Sequence, residues 1–171
     1  VEAGRPIAEP CEIGSVSIAG TPVRRQNRAM GFSIRTACEG DIAAMHRLRC
    51  SVRENRLSDP GSVTERDYRP YVDAGSAWLA ESGGRLLGFA ALDLRSSSLW
   101  ALFVAPEAEG RGIGRALHRH MLEQARERGA RSLWLSTSPG TRAERFYKSA
   151  GWRTAEPTPE GELRLRIALE T

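Results

Sequence analysis

Three glycines alternate with arginine and isoleucine in Gly110-Arg111-Gly112-Ile113-Gly114-Arg115, and that spacing suits the holding of a phosphate. An apolar run from Leu99 to Val104 precedes the glycines, a turn with Pro106 intervenes, and a helical pattern follows. The first N–H groups of a helix have no internal acceptor, and the helix dipole favours negative charge beside them. Glycine lets an anion approach the main chain because it has no Cβ. Two common phosphate loops are excluded. A Walker loop needs Lys and Ser/Thr after its glycines, and neither follows here. A dinucleotide loop needs Gly-x-Gly-x-x-Gly, whereas these glycines fall at every second position. A glycine-rich loop before a surface helix would show the same residues.

A second stretch carries chemistry of another kind. Thr141-Arg-Ala-Glu144 has the form of a capping box, in which hydroxyl and carboxylate each satisfy an orphan N–H. Phe146-Tyr147 follows, and Gly151 sits where a helix end wants a left-handed residue, just before Trp152. Taken together, Val104-Ala-Pro106, Arg111-Gly-Ile-Gly-Arg-Ala116 and Phe146-Tyr147…Gly151-Trp152 resemble the GNAT superfamily of N-acetyltransferases. Its loop reads Gln/Arg-x-x-Gly-x-Gly/Ala, and the resemblance spans roughly Phe32 to Leu169.

The resemblance implies an α/β GNAT fold, a mixed central sheet flanked by helices, over residues 31–171. It implies acetyl-CoA as co-substrate and direct acetyl transfer to a primary amine of a small molecule or protein. Backbone groups of Leu102, Phe103 and Val104 would bond the pantetheine arm as an added strand. Those of Gly110, Arg111, Gly112, Ile113, Gly114 and Arg115 would hold the pyrophosphate, with Arg111 and Arg115 adding charge. Tyr147 would protonate the departing thiolate, since a phenol stays protonated at neutral pH. Many relatives carry a glutamate base on the strand before the loop or on the next strand. Here Ser98 and Ser136 stand in those places, which leaves Glu54, Asp93 or a water. The missing glutamates also admit a non-catalytic acyl-CoA sensor of the same fold.

Composition narrows the classes further. The chain has 171 residues and 40% hydrophobic content, enough for one domain with a core. No window has the length of a membrane span, and no secretory signal is evident. Cys11, Cys38 and Cys50 form no paired framework, and His46, His118 and His120 show no ligand spacing, so no metal is expected. The pI of 9.4 invites a nucleic-acid partner. The basic residues form no tract, however, which argues against one. Lys148 is the sole lysine among 25 basic residues, a skew that suggests a GC-rich bacterial genome, and the unpaired cysteines suggest a cytoplasmic protein. Glu54, Asn55, Asp59 and Asp67 suggest a cationic acceptor, and a homodimer is compatible with the sequence.

The elements that must position these residues follow from periodicity. Residues 1–30, rich in Pro, Gly, Ser and Arg, are expected to be a disordered extension, with Met30 as a candidate start. Strands are expected at 32–36, 77–81, 85–94, 100–104, 132–137, around Trp152 and at 162–169. Asp41 should cap a helix running to Val52, and a short helix should cover 64–72 with Pro70 shortening or kinking it. Ile113, Ala116, Leu117, His120, Met121, Gln124 and Ala125 recur at helical spacing, so this long helix should pack on the sheet and end at Gly129. A last helix is expected over 141–150.

Overall fold

A computed structural model describes residues 25–27, 31–52, 63–158 and 161–169. Eight strands form one mixed sheet: β1 (Arg25–Asn27), β2 (Phe32–Thr36), β3 (Ala77–Ser82), β4 (Arg85–Asp93), β5 (Ser98–Val104), β6 (Ser132–Thr137), β7 (Arg153–Pro157) and β8 (Leu163–Ala168). Their order is β1-β2-β3-β4-β5-β6-β8-β7. The helices are α1 (Ile42–Ser51), α2 (Arg69–Asp73), α3 (Ile113–Glu127) and α4 (Arg142–Ser149). β1 lies inside the segment expected to be disordered and pairs antiparallel with β2. The rest of that segment lies outside the described residues.

Local chemistry explains the elements. Gly83 and Gly84 both take positive φ, as a tight hairpin between β3 and β4 requires. Pro70 falls in the first turn of α2, where its missing N–H costs nothing, so it opens that helix. Asp41 stands at the α1 N-cap position but makes no capping bond there. Its buried carboxylate instead accepts from Arg35 Nη1 and Nη2 at 2.7 and 2.8 Å and from Cys38 N at 2.8 Å. A buried carboxylate needs a cation more than a helix end needs a cap. In α3 the buried face is Ile113, Ala116, Leu117, His118, Met121, Leu122 and Ala125, so His118 goes inward as well, while His120, expected on the sheet side, is half-buried and packs edge-on against Trp78 of β3 at 5.6 Å.

The sheet is continuous from β1 to β5 and then opens. The parallel pair β5–β6 meets at Ser98 and Trp134, with Trp134 N donating to Ser97 O at 3.1 Å. Beyond that point the strands diverge. Gly88 of β4 faces α3: a Cβ there would lie 3.1 Å from Leu117 and 3.3 Å from Ile113. Neighbouring Phe89 faces the other way and stacks with Phe103, 5.4 Å between centroids, beside Tyr68. So α3 covers one face of the sheet, while α1, α2 and the turn before α2 cover the opposite face.

Candidate active site

β5 carries an irregularity that decides which of its atoms face the opening. Ala91 pairs with Ala101 but Leu92 pairs with Leu99, leaving Trp100 as an extra residue. Such a bulge reverses the alternation of the strand beyond it. Before the bulge, Ser97 O faces β6. After it, Ala105 N donates to Leu87 O of β4 at 2.8 Å, and Phe103 O abuts Gly88. By alternation the main-chain groups of Leu102 and Val104 point into the opening, with no strand beside them. Of the three residues expected to hold a pantetheine arm, Phe103 turns its own peptide toward β4 and contributes its ring.

At the C-terminal end of β5 the chain turns into α3. Gly112 occupies the N-cap with φ 76°, and Gly110 is also left-handed at φ 73°. Neither position suits a side chain. The first helical bond runs from Ala116 N to Gly112 O at 3.0 Å. The N–H groups of Ile113, Gly114 and Arg115 precede it and have no acceptor within the helix, and no side chain caps them.

The opening is a cleft of about 590 Å³. One wall is Leu102, Phe103 and Val104 of β5, and the end is Gly110, Gly112, Ile113, Gly114 and Arg115. The other wall comes from the end of β6 and the start of α4: Thr137, Ser138, Thr141, Arg142, Phe146 and Tyr147. Arg111 is exposed and stands outside this lining. Val52, which helical spacing placed at the end of α1, also lines the cleft, as does Arg142, which no pattern singled out for the site. Arg142 forms an ion pair with Glu109 across the mouth of the cleft. The two are 33 residues apart and follow no local pattern, so only the fold shows their proximity.

α4 starts at the predicted Thr141 cap, but Glu144 reaches the N–H one residue before the cap instead of closing the full box. Thr141 Oγ1 accepts from Glu144 N at 3.2 Å, and Glu144 reaches Gly140 N at 2.6 Å. It ends where Gly151 takes φ 93°. This fixes Tyr147 in the cleft wall, inside an aromatic group with Phe146, Trp152 and His118 at centroid distances of 5.2, 5.6 and 6.3 Å. Burial raises the Tyr147 phenol above its ordinary pKa, so it is a proton donor at neutral pH. Among the described residues its hydroxyl has no hydrogen-bond partner. Trp152 Nε1 donates to His118 Nε2 at 2.8 Å, which requires that nitrogen to be unprotonated. Burial pushes His118 down from 6.5 to about 4.

The candidate bases fare differently. Glu54 lies outside the described residues, as do Asn55 and Asp59. Asp93 is outside the cleft lining and accepts from Arg95 N at 2.9 Å, binding its own turn. Although burial works to raise its pKa, these backbone hydrogen bonds hold it below the usual carboxylate range. Ser98 shares a hydrogen bond with Ser96 at 2.9 Å, and Ser136 is exposed. Among the described residues no group of three or more His, Cys, Asp or Glu could hold a metal. No described helix is long and apolar enough to cross a membrane.

A strand edge left bare, a helix mouth left uncapped and a buried phenol thus line one cleft. Known proteins resemble this chain in sequence and in fold. Residues 42–152 match the family model described as acetyltransferase (GNAT) family. The chain is 38% identical over 102 residues to streptothricin acetyltransferase of Streptomyces lavendulae, covering 55% of this chain and 49% of that one. It is 35% identical over 142 residues to mycothiol acetyltransferase of Sanguibacter keddieii, covering 74% of this chain and 45% of the relative. It thus spans about half the length of these two relatives. Among solved structures, an N-acetyltransferase from Thermoplasma acidophilum in complex with coenzyme A superposes with TM-score 0.62 at 16% identity, over 80% of this chain and 98% of the other. With more than half its length matched by the family model, the chain belongs to the GNAT acetyltransferase family.

Proposed function

We propose that the protein transfers an acetyl group from acetyl-CoA to a primary amine directly, without a covalent enzyme intermediate. The observation that carries this reading is the set of unpaired N–H groups at Ile113, Gly114 and Arg115, standing at the end of the cleft into which Leu102 and Val104 point. A diphosphate fits that helix mouth, and a pantetheine amide fits the bare edge of β5. A structural neighbour crystallised in complex with coenzyme A supports the choice of co-substrate. The amine nitrogen attacks the thioester carbonyl, and a β5 amide stabilises the developing oxyanion. The carbon–sulfur bond then breaks, Tyr147 gives its proton to the sulfur, and the proton lost by the amine passes to water in the open cleft. Asp93, tied to its own turn, is not the base in this scheme.

A non-catalytic acyl-CoA sensor is the weaker reading, because Tyr147 stands in the cleft wall where a sensor has no need of an acid. The free thiols of Cys38 and Cys50 support placing the protein in a reducing cytoplasm, where the thioester is available, and the excess of Arg over Lys supports a bacterial source. A thermal-shift titration tests the proposal. Acetyl-CoA at about 100 Kd should stabilise the fold by about 2.7 kcal/mol. Thiol release should then appear with at least one amine. No shift with coenzyme sinks the placement, and a shift without thiol release across amines favours the sensor.

A further inference from the structure

Arg49 lies on α1, one turn before the cleft residue Val52. Its guanidinium carbon is 5.1 Å from the centroid of the Trp100 ring and 5.0 Å from that of Phe103. The bulge allows this: the extra residue turns Trp100 to the face that Phe103 occupies, so two rings of one strand flank one cation. Tyr71 stacks on the far side of Trp100 at 4.4 Å, and Tyr68 meets the same ring edge-on at 5.0 Å. The surroundings of the cation are therefore largely aromatic, with the Tyr68 hydroxyl hydrogen-bonded to the guanidinium.

There, Arg49 Nε and Nη1 are cut off from solvent and, among the described residues, have no hydrogen-bond partner, although the guanidinium does bond the Tyr68 hydroxyl. A guanidinium is charged at every physiological pH, so these are donors of a permanent cation left without acceptors. That is costly, and native proteins keep such groups where a ligand completes them. Among the described residues the neighbouring carboxylates attract this cation at most from a distance and accept no hydrogen bond from it. Asp67 accepts from Thr64 N at 2.6 Å and from Thr64 Oγ1 at 2.9 Å, and Asp93 is bound to Arg95 N.

We propose that Arg49 receives a carboxylate of the acceptor, so that the acceptor is an amine that also bears a carboxylate, of the amino-acid class. The inference rests on the transferase reading above. It assigns the α1–α2 side of β5 to the acceptor and the α3 side of the cleft to the coenzyme, with Phe103 between them. It also departs from the cationic acceptor suggested by the acidic residues of the sequence.

The test pairs amines that differ only in charge. ω-Amino acids such as 4-aminobutanoate are compared with their carboxamides, and α-amino acids with theirs, by thiol release and by calorimetric binding in the presence of coenzyme A. The carboxylate member should be preferred by about tenfold to a hundredfold in kcat/KM and in affinity, the range of a charge-assisted hydrogen bond. Arg49→Met should remove that preference, while Arg49→Lys, which keeps the charge but not the fork, should retain part of it. Acetyl-CoA affinity serves as the control that both variants are folded. Transfer without preference for the carboxylate, or a preference that survives Arg49→Met, overturns the anion site and leaves the transferase standing. Preferential carboxylate binding without thiol release supports the anion site and overturns the transferase. Neither binding preference nor thiol release overturns both.

Discussion

Tyr147 and His118 share one aromatic cluster but have opposite needs. Tyr147 must keep a proton to give away, and burial secures it by raising the phenol. Tyr147→Phe keeps the ring packing and removes the acid. Turnover should fall by roughly tenfold or more with coenzyme affinity nearly unchanged, measured by thiol release and calorimetry. His118 must stay neutral to accept from Trp152. Its folded pKa of about 4 lies below the ordinary 6.5, so the unfolded chain binds the proton more readily. Stability from this residue is complete above about pH 6.5 and is lost as pH falls toward 4. The loss amounts to about 3 kcal/mol at the lower end. Denaturant melts of wild type and His118→Gln across that window should show the slope in the first and a smaller slope in the second. Such a histidine reads as an inward helix position only once the helix phase is known. Periodicity picked out His120, two residues on, which packs on Trp78 of β3, and passed over His118 because the stripe is wide enough to take in both.

At the level of elements, the close approach of α3 to the sheet depends on a residue that has no side chain. A Cβ on Gly88 would stand 2.7 Å from Phe103 O, an atom of the strand ladder that cannot yield. Gly88→Ala should destabilise the protein by about 1–3 kcal/mol in urea unfolding. It should also weaken coenzyme binding, since α3 and its uncapped mouth must move away from β5. Nothing in the sequence marks Gly88 for this task, because a glycine inside a strand pattern has several readings. The opposite holds for Thr141 to Gly151 and for Gly110 to Gly114. There the signals are local, a cap, a left-handed stop and a glycine alternation, and the structure shows α4 and the start of α3 at those places. Asp41 shows how a local signal loses. The cap residue was correctly located in the chain, but Arg35, which no helix rule considers, takes its carboxylate. Trp100 was legible as a strand residue but not as a bulge, because its register is set by β4.

For the whole molecule, the sheet is a wedge hinged at Ser98 and Trp134. Trp134 Nε1 strengthens the hinge by donating to Ser96 O at 2.9 Å. On one side β1 to β5 share α3; on the other, β6, β8 and β7 form their own antiparallel group. Few main-chain bonds join the two, so the β6–β8 side should open at lower free energy than the β3–β5 side. A ligand lying between β5 and β6 would tie them together. Amide hydrogen exchange should show β6 and β8 slowing on addition of coenzyme A, and more strongly than β3. Equal slowing in all strands would mean that the halves unfold as one. The overall order of helices and strands could be read from periodicity, since each element announces itself locally. The wedge could not, because it is a relation between strands separated by a crossover. The lone surplus residue in β5 also sets a rule of arithmetic for this chain. Everything downstream of Trp100 is out of phase with everything upstream, so deleting one residue from that strand would exchange inside for outside along its whole second half. Both wings of the molecule would then be reading the wrong edge. Natural drift and laboratory splicing alike should therefore conserve the residue count between Ser98 and Val104 more strictly than the identities of the side chains.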